Sequence, residues 1–516
     1  MSLLQVILFF VLCSVALGWG ARRAGVPYPI ALVIGGGALG FVPGLPKLDI
    51  DPQFLLVLVL PPILYQAALL TSWRDFKANI ERIGYLAIGL VIATTLVVGA
   101  ALKLLVPDIP WAAAFVFGAI VSPPDAVAAT AILSRLSIPR RIVTVLEGES
   151  LVNDASGLVI YKFAVAAVLT GVFSLADASM QFVLVSAGGI VIGLAIGWVF
   201  INVHKYMGDA FIEVLLSLSI PYTAYILAES VHASGVLAVV AAGVMRGRYT
   251  PEIVSAEMRI LARSVWNILV FLLNSLIFML IGMELSNVLE RLHGYSAGQL
   301  AVVSLTVTLV AIVVRFVWVY AVEHVPRWVG LGRGVPALPN GELFLESWCG
   351  MRGIVSLAAA LALPVQVNSG DTFPYRDLII FLTFVVIAVT LVVQGLSMPM
   401  VIRRLKMAQD VGIDGEHRRA REAMGLAALA VIDRMAASEN ASPALAGRLR
   451  LEFTERMSAV EQGHATGSEA ALAKTIRLAA IRAERQELIR VWRESLVSDE
   501  VLHHLEEELD YEESRL

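Results

Sequence analysis

Residues Trp111 to Leu133 read WAAAFVFGAIVSPPDAVAATAIL, an apolar run interrupted at its middle by Ser122, Pro123, Pro124 and Asp125. Such a run is long enough to cross a hydrocarbon core about 30 Å thick. Consecutive prolines remove backbone donors and free nearby carbonyls, so the segment is expected to unwind in mid-membrane. Prolines alone would signify a kink. With a carboxylate beside them, which is costly in lipid unless paired or facing a wet cavity, the break reads as an ion site.

Working outward, the whole chain favours a bilayer. Its 516 residues are 58% hydrophobic and only 16% charged, with mean hydropathy +0.77. Apolar stretches of about 20 residues recur from Leu3 to Ile402 and give about thirteen candidate spans. The second (Tyr28 to Val42) and ninth (Ser234 to Met245) are short. Basic residues collect in alternate loops, including Arg22, Arg23, Arg74, Lys77, Arg140 and Arg141, then Arg403, Arg404 and Lys406 after the last span. The opposite loops hold little beyond Lys47, Lys103, Arg291 and Arg376. This bias places the N-terminus outside and the C-terminus in the cytoplasm, in an inner or plasma membrane. Arg22 and Arg23 follow the first apolar run rather than precede it, as a retained helix requires and a cleaved signal peptide does not.

Other classes recede. A net charge of -4 offers no basic face for nucleic acid. Cys13 and Cys349 lie in apolar runs and read as small hydrophobes. Gly35, Gly37 and Gly40 spell GxGxxG, but no strand precedes them and no acid follows at the required distance, so close helix packing explains them better than a dinucleotide. No motif points to an enzyme or to a cofactor. After Ile402 the chain becomes charged, with apolar residues such as Leu426, Leu429 and Ile432 at helical intervals. Residues 406–516 are therefore expected to form a soluble helical tail with breaks near Ser438 to Ser442 and Gly463 to Ser468.

The sixth span contains GESLVNDASG at Gly148 to Gly157. Helical spacing sets Glu149 above Asn153 and Ser150 above Asp154, grouping acids, an amide and a hydroxyl. These are hard oxygen donors suited to sodium or lithium, without the His or Cys that a transition metal favours. Glu147 reads as off this face, in an interfacial salt bridge with Arg140 or Arg141. Lys162 is placed to snorkel and carries no assigned role. Arg315, deep in the eleventh span, needs a counter-ion, for which Glu149 is the candidate. Arg352 sits between Gly350 and Gly353 in a second irregular helix, where it is expected to stabilise carbonyls rather than touch the ion.

At these residues the chain resembles the monovalent cation:proton antiporter family, which includes bacterial sodium/proton antiporters and animal sodium/proton exchangers. The resemblance spans residues 1–405 and rests on six ordered matches. They are LPPILYQAALLTS (Leu60 to Ser72), SPPDAVAAT (Ser122 to Thr130), GESLVNDASG, HASGVLAVVAAGVMRG (His232 to Gly247), FLLNSLIFMLIGMEL (Phe271 to Leu285) and WCGMRGIVSLAAALALP (Trp348 to Pro364).

The resemblance implies an all-α membrane protein of inverted repeats with two broken crossing helices. The core is expected at residues 85–172 and 298–402, and a dimerisation part at 1–70 and 182–289. It also implies that Asp154 carries cation and proton, with Asp125, Ser150 and the main chain at Pro124 as cation ligands. Asn153, Glu149, Arg315 and Arg352 would be structural polar residues. Many relatives carry Glu where this chain has Gln66, which offers a carbonyl oxygen but no charge. The expected activity is exchange of Na+ or Li+ for H+ by a homodimer serving pH and sodium homeostasis, electroneutral because the pair is Asn-Asp. A K+/H+ antiporter is the near alternative. A transporter-like sensor or scaffold signalling through its tail is the distant one.

Overall fold

In lipid, every backbone donor and acceptor must be satisfied within the protein, and the helix does this within one segment. The computed structural model is accordingly helical almost throughout. It describes residues 3–42, 52–125, 129–130, 133, 138–171, 174–254, 256–292, 294–328, 338–368, 370–405, 411–438, 443–461, 467–494, 505, 508–509 and 511–513. Among them the sole β pairing is an isolated bridge, Gln366 to Thr372. The chain divides into two compact units, Met1–Gln409 and Asp410–Leu516.

The first unit opens with α1 (Leu3–Ala24), α2 (Tyr28–Gly40), α3 (Pro52–Leu70), the short α4 (Trp73–Ala78) and α5 (Ile80–Leu105). Next come α6 (Trp111–Val121), α7 (Arg140–Thr170), α8 (Leu175–His204), α9 (Ala210–Ser230) and α10 (Gly235–Ile253). It closes with α11 (Ala256–Arg291), α12 (Ala297–Trp328), the half-length α13 (Asn340–Trp348) and α14 (Ile354–Leu361), and α15 (Arg376–Leu405). Seven of the described helices are long and apolar enough to cross a membrane, and Tyr28–Gly40, Val57–Leu70 and Trp111–Val121 are shorter apolar helices. The ninth apolar stretch extends further than its sequence suggested, forming a 19-residue helix.

Local chemistry sets the helix ends. Helix α7 begins after Pro139 and stops at Gly171, whose φ of 72° is left-handed. The Ser174 and Ser234 hydroxyls accept the Asp177 and Leu237 amides at the starts of α8 and α10, and Asp209 accepts from Phe211 and Ile212 at the start of α9. Without a hydrophobic force between helices in lipid, close backbone approach holds them. Gly36 lies against the Met279 backbone, and Gly282 against Gly37 and Val33, so a Cβ at either position would overlap main-chain atoms. The glycine-rich run of α2 is thus a packing surface against α11.

Helix α5 widens into a π-helical turn at Tyr85–Gly89, and α15 does so at Thr390–Gln394. Such turns free backbone groups for other partners. In the first, the Ala87 carbonyl accepts Ser156 Oγ at 2.5 Å and the Tyr85 carbonyl accepts Trp318 Nε1 at 3.0 Å.

In the second unit, the described residues form α16 (Val411–Ser438), α17 (Pro443–Glu461) and α18 (Gly467–Arg493). An exposed ion pair, Arg450 to Asp433 at 2.6 Å, links α17 to α16. Of the breaks expected at Ser438 to Ser442 and Gly463 to Ser468, residues 439–442 and 463–466 lie outside the described residues, while Ser438 ends α16 and Gly467 and Ser468 open α18.

Candidate functional site

The fifth and twelfth apolar stretches are both interrupted, and the interruptions meet. Helix α6 ends at Val121, while α13 and α14 are separated by Cys349 to Gly353. The Asp125 amide donates to the Met351 carbonyl at 2.7 Å. The Arg352 guanidinium donates to the Ser122 carbonyl, and its own amide donates to Thr390 Oγ1, at the π turn of α15, at 3.1 Å. Each break therefore satisfies backbone groups the other leaves open, which lets irregular chain persist inside an apolar bundle.

The carboxylate of Asp125 accepts the Ile354 amide at 3.4 Å. That amide opens α14, so the acid faces the positive end of a helix dipole. Gly353 makes this approach possible, because a Cβ there would overlap the carboxylate itself.

Helix α7 supplies the remaining groups on two faces. One face meets α12: Arg315 and Glu149, each 1% exposed, form a bidentate pair at 2.5 and 2.8 Å. Arg315 also donates from Nε and Nη2 to the Glu346 carbonyl at 3.1 and 3.0 Å, near the C-terminal end of α13. The carboxylate of Glu346 is held in turn by Arg82 at 2.6 Å, which reaches Glu323 at 2.7 Å. These charges join α5, α12 and α13 beside the site.

The other face of α7 lines a cavity of about 220 Å³, room for a partly hydrated cation. Its wall includes Pro123, Pro124, Asp125, Ser150, Asp154 and Gln66 together with Thr130, Glu147, Gly353 and Ser356. Asp154 is buried and lies within electrostatic reach of Asp125, and its carboxylate has no hydrogen-bond partner among the described residues. Gln66 donates its amide to Asn267 Oδ1 at 3.1 Å. Asn153 is fully buried, and neither atom of its amide meets a hydrogen-bonding partner among the described residues.

Thus Asp125, Ser150, Asp154, Pro124 and Gln66 share one cavity, whereas Glu149, Arg315 and Arg352 stand behind it. One sequence reading needs correction. Among the described residues Glu147 is in no salt bridge: Arg140 pairs with Asp75 at 2.9 Å and Arg141 reaches Asn79, leaving Glu147 on the cavity wall. Seven residues bring an α-helix round by nearly two full turns, so Glu147 shares a face with Asp154, a period the reading of adjacent turns missed. Lys162, which carried no assigned role, pairs with Glu229 at 2.9 Å while its side chain stays more than half exposed. Thr130 and Ser356 were also missed; each belongs to a motif already quoted, but only the fold turns it to the cavity.

Two interlocked broken helices around a largely apolar cavity that gathers Asp125, Ser150 and Asp154, within a bundle of membrane-length helices, are the arrangement of a secondary transporter. The comparisons are more specific. The model of the transmembrane sodium/hydrogen exchanger family matches residues 7–404, and the chain belongs to that family of multi-pass exchangers, which are transporters and not enzymes.

Among its relatives is an uncharacterised Na+/H+ exchanger of Mycobacterium tuberculosis, 35% identical over 96% of this chain and 93% of its own length. A sodium, potassium, lithium and rubidium/H+ antiporter of Bacillus pumilus is 31% identical over 93% of this chain and 73% of its own length. The solved sodium proton antiporter of Methanocaldococcus jannaschii shares the fold with a TM-score of 0.62 at 19% identity, over 78% of this chain and 99% of the other.

Proposed function

We propose that the chain exchanges Na+ or Li+ for H+ with Asp154 as the carrier. One contrast supports this most. Glu149 is committed to Arg315 and Asp125 accepts the Ile354 amide, while no hydrogen bond among the described residues reaches the carboxylate of Asp154, which lines the cavity. Its carboxylate takes either a proton or a cation, and competition between them couples the two fluxes. Asp125, Ser150 and the main chain at Pro124 complete the cation shell, with the Gln66 carbonyl as a neutral addition. Because the second residue of the Asn-Asp pair alone carries charge, one cation exchanges for one proton and no net charge moves.

The physiological assembly in this reading is a homodimer in the inner membrane. Its N-terminus is outside and its C-terminal tail, residues 406–516, cytoplasmic. Residues 1–70 and 182–289 form the dimerisation part, and 85–172 with 298–402 the core. Potassium is the second reading for the cation, favoured by the printed substrates of the Bacillus relative.

Asp154→Asn in proteoliposomes is the direct test. Dye-monitored exchange should vanish with sodium, lithium and potassium alike, and persistent exchange would remove Asp154 as carrier. A voltage-dependent current tracking wild-type transport would overturn electroneutrality.

A further inference from the structure

Glu147 stands apart from the roles assigned so far. It lines the same cavity as Asp125 and Asp154, and neither hydrogen bond nor ion pair among the described residues holds its carboxylate. The basic groups that open its helix are engaged elsewhere, Arg140 by Asp75 and Arg141 by Asn79. Glu147, Ser150, Leu151 and Asp154 all line the cavity, and their spacing of i, i+3, i+4 and i+7 makes one continuous stripe along α7.

Seven residues at 1.5 Å each set the two acids about 10 Å apart along the helix axis, too far to share one bare cation. Consistently, no group of three or more His, Cys, Asp or Glu among the described residues converges as a metal site. Ser150 lies between them in the stripe, and Gln66 of α3 lines the same cavity.

We propose that Glu147 is a recruiting station for the cation, a second acidic stop at the Arg140 end of the cavity that draws a partly hydrated monovalent ion in and passes it along the stripe past Ser150 to Asp154. An uncompensated carboxylate in a low-dielectric cleft concentrates cations locally. The ion keeps part of its water at Glu147 and exchanges it for protein oxygens only at Asp154. Gln66 bears on this assignment: within the same cavity it offers a dipole where an acid would compete for the incoming ion. The inference rests on the antiport reading but assigns Glu147 to capture and not to the exchange step.

The experiment measures Na+-driven proton flux in proteoliposomes made from wild type, Glu147→Gln, Glu147→Ala, Glu147→Asp and Asp154→Asn. Either neutral variant should raise the apparent KM for Na+ about three- to tenfold at low ionic strength and leave kcat within about twofold, as expected for loss of electrostatic concentration. The difference from wild type should shrink when choline chloride raises the ionic strength. Glu147→Asp should return the KM to near the wild-type value. An unchanged KM in the neutral variants overturns the proposal. So does a fall in kcat without a KM change, which would mark a structural or chemical role. Exchange surviving in Asp154→Asn would instead defeat the carrier assignment, whatever the Glu147 variants show.

Discussion

The backbone of Gly353 lies so close to the Asp125 carboxylate that a single added methyl group would occupy the same space. This contact ties the break after α6 to the start of α14, and it makes a glycine with no side chain of its own part of the setting of the Asp125 carboxylate.

Gly353→Ala should therefore displace Asp125 from the Ile354 amide while leaving the helices formed. An apparent KM for Na+ raised about tenfold or more, equivalent to about 1.4 kcal/mol, is the expected outcome. Transport assays on protein whose detergent-solubilised melting point matches wild type would check it. Wild-type KM in the variant would show that the carboxylate is not held where the cation binds.

The Glu149–Arg315 pair leads to a double-mutant cycle. Removing one partner strands a buried charge, so Glu149→Gln and Arg315→Met should each lose about 3–5 kcal/mol. The double variant should recover much of that loss, because neither charge is then left alone. Thermal unfolding of all four proteins measures the coupling, and additive losses would show that the pair does not act as a unit.

Competition at Asp154 fixes the sign of the pH dependence. Protons occupy the carrier as pH falls, so the apparent KM for Na+ should rise and maximal velocity at saturating Na+ should hold. For one proton against one cation, the rise approaches about tenfold per pH unit at the acid end by mass action. Velocities measured at equal pH on both sides of the vesicle distinguish this from a fall in maximal velocity, which would mean that the proton acts elsewhere.

The contact of α2 with α11 is equally specific. Gly282→Val would drive side-chain atoms into the Gly37 and Val33 backbone, and overpacking of this kind costs about 1–3 kcal/mol. A lowered melting point with an unchanged KM in the surviving protein is expected, since the contact does not line the cavity. A melting point equal to wild type would show that the helices do not pack as closely as described.

Much of the fold was legible because its causes are local. Apolar length marks helices in lipid, paired prolines mark a break, and Gly350 and Gly353 around Arg352 mark another. The sequence also nominated Asp125, Ser150 and Asp154, because acids and hydroxyls grouped in apolar stretches are costly and therefore meaningful. The π turns at Tyr85–Gly89 and Thr390–Gln394 had no such signature: their freed carbonyls and hydroxyl become useful only when α7 and the second break lie alongside.

The case of Glu147 shows where the boundary lies. By itself the sequence determined that this acid occupies the same helix as Asp154, near two arginines, because helical position follows from chain position. Which of those neighbours it meets depends on where Asp75 and Asn79, on another part of the chain, direct Arg140 and Arg141. Likewise, paired prolines and glycines determined that two helices would break, but their interlocking through Asp125 and Met351, and Arg352 and Ser122, depends on the tertiary crossing. Electrostatic and hydrogen-bond partners are chosen by proximity in space, and only the folded bundle supplies it.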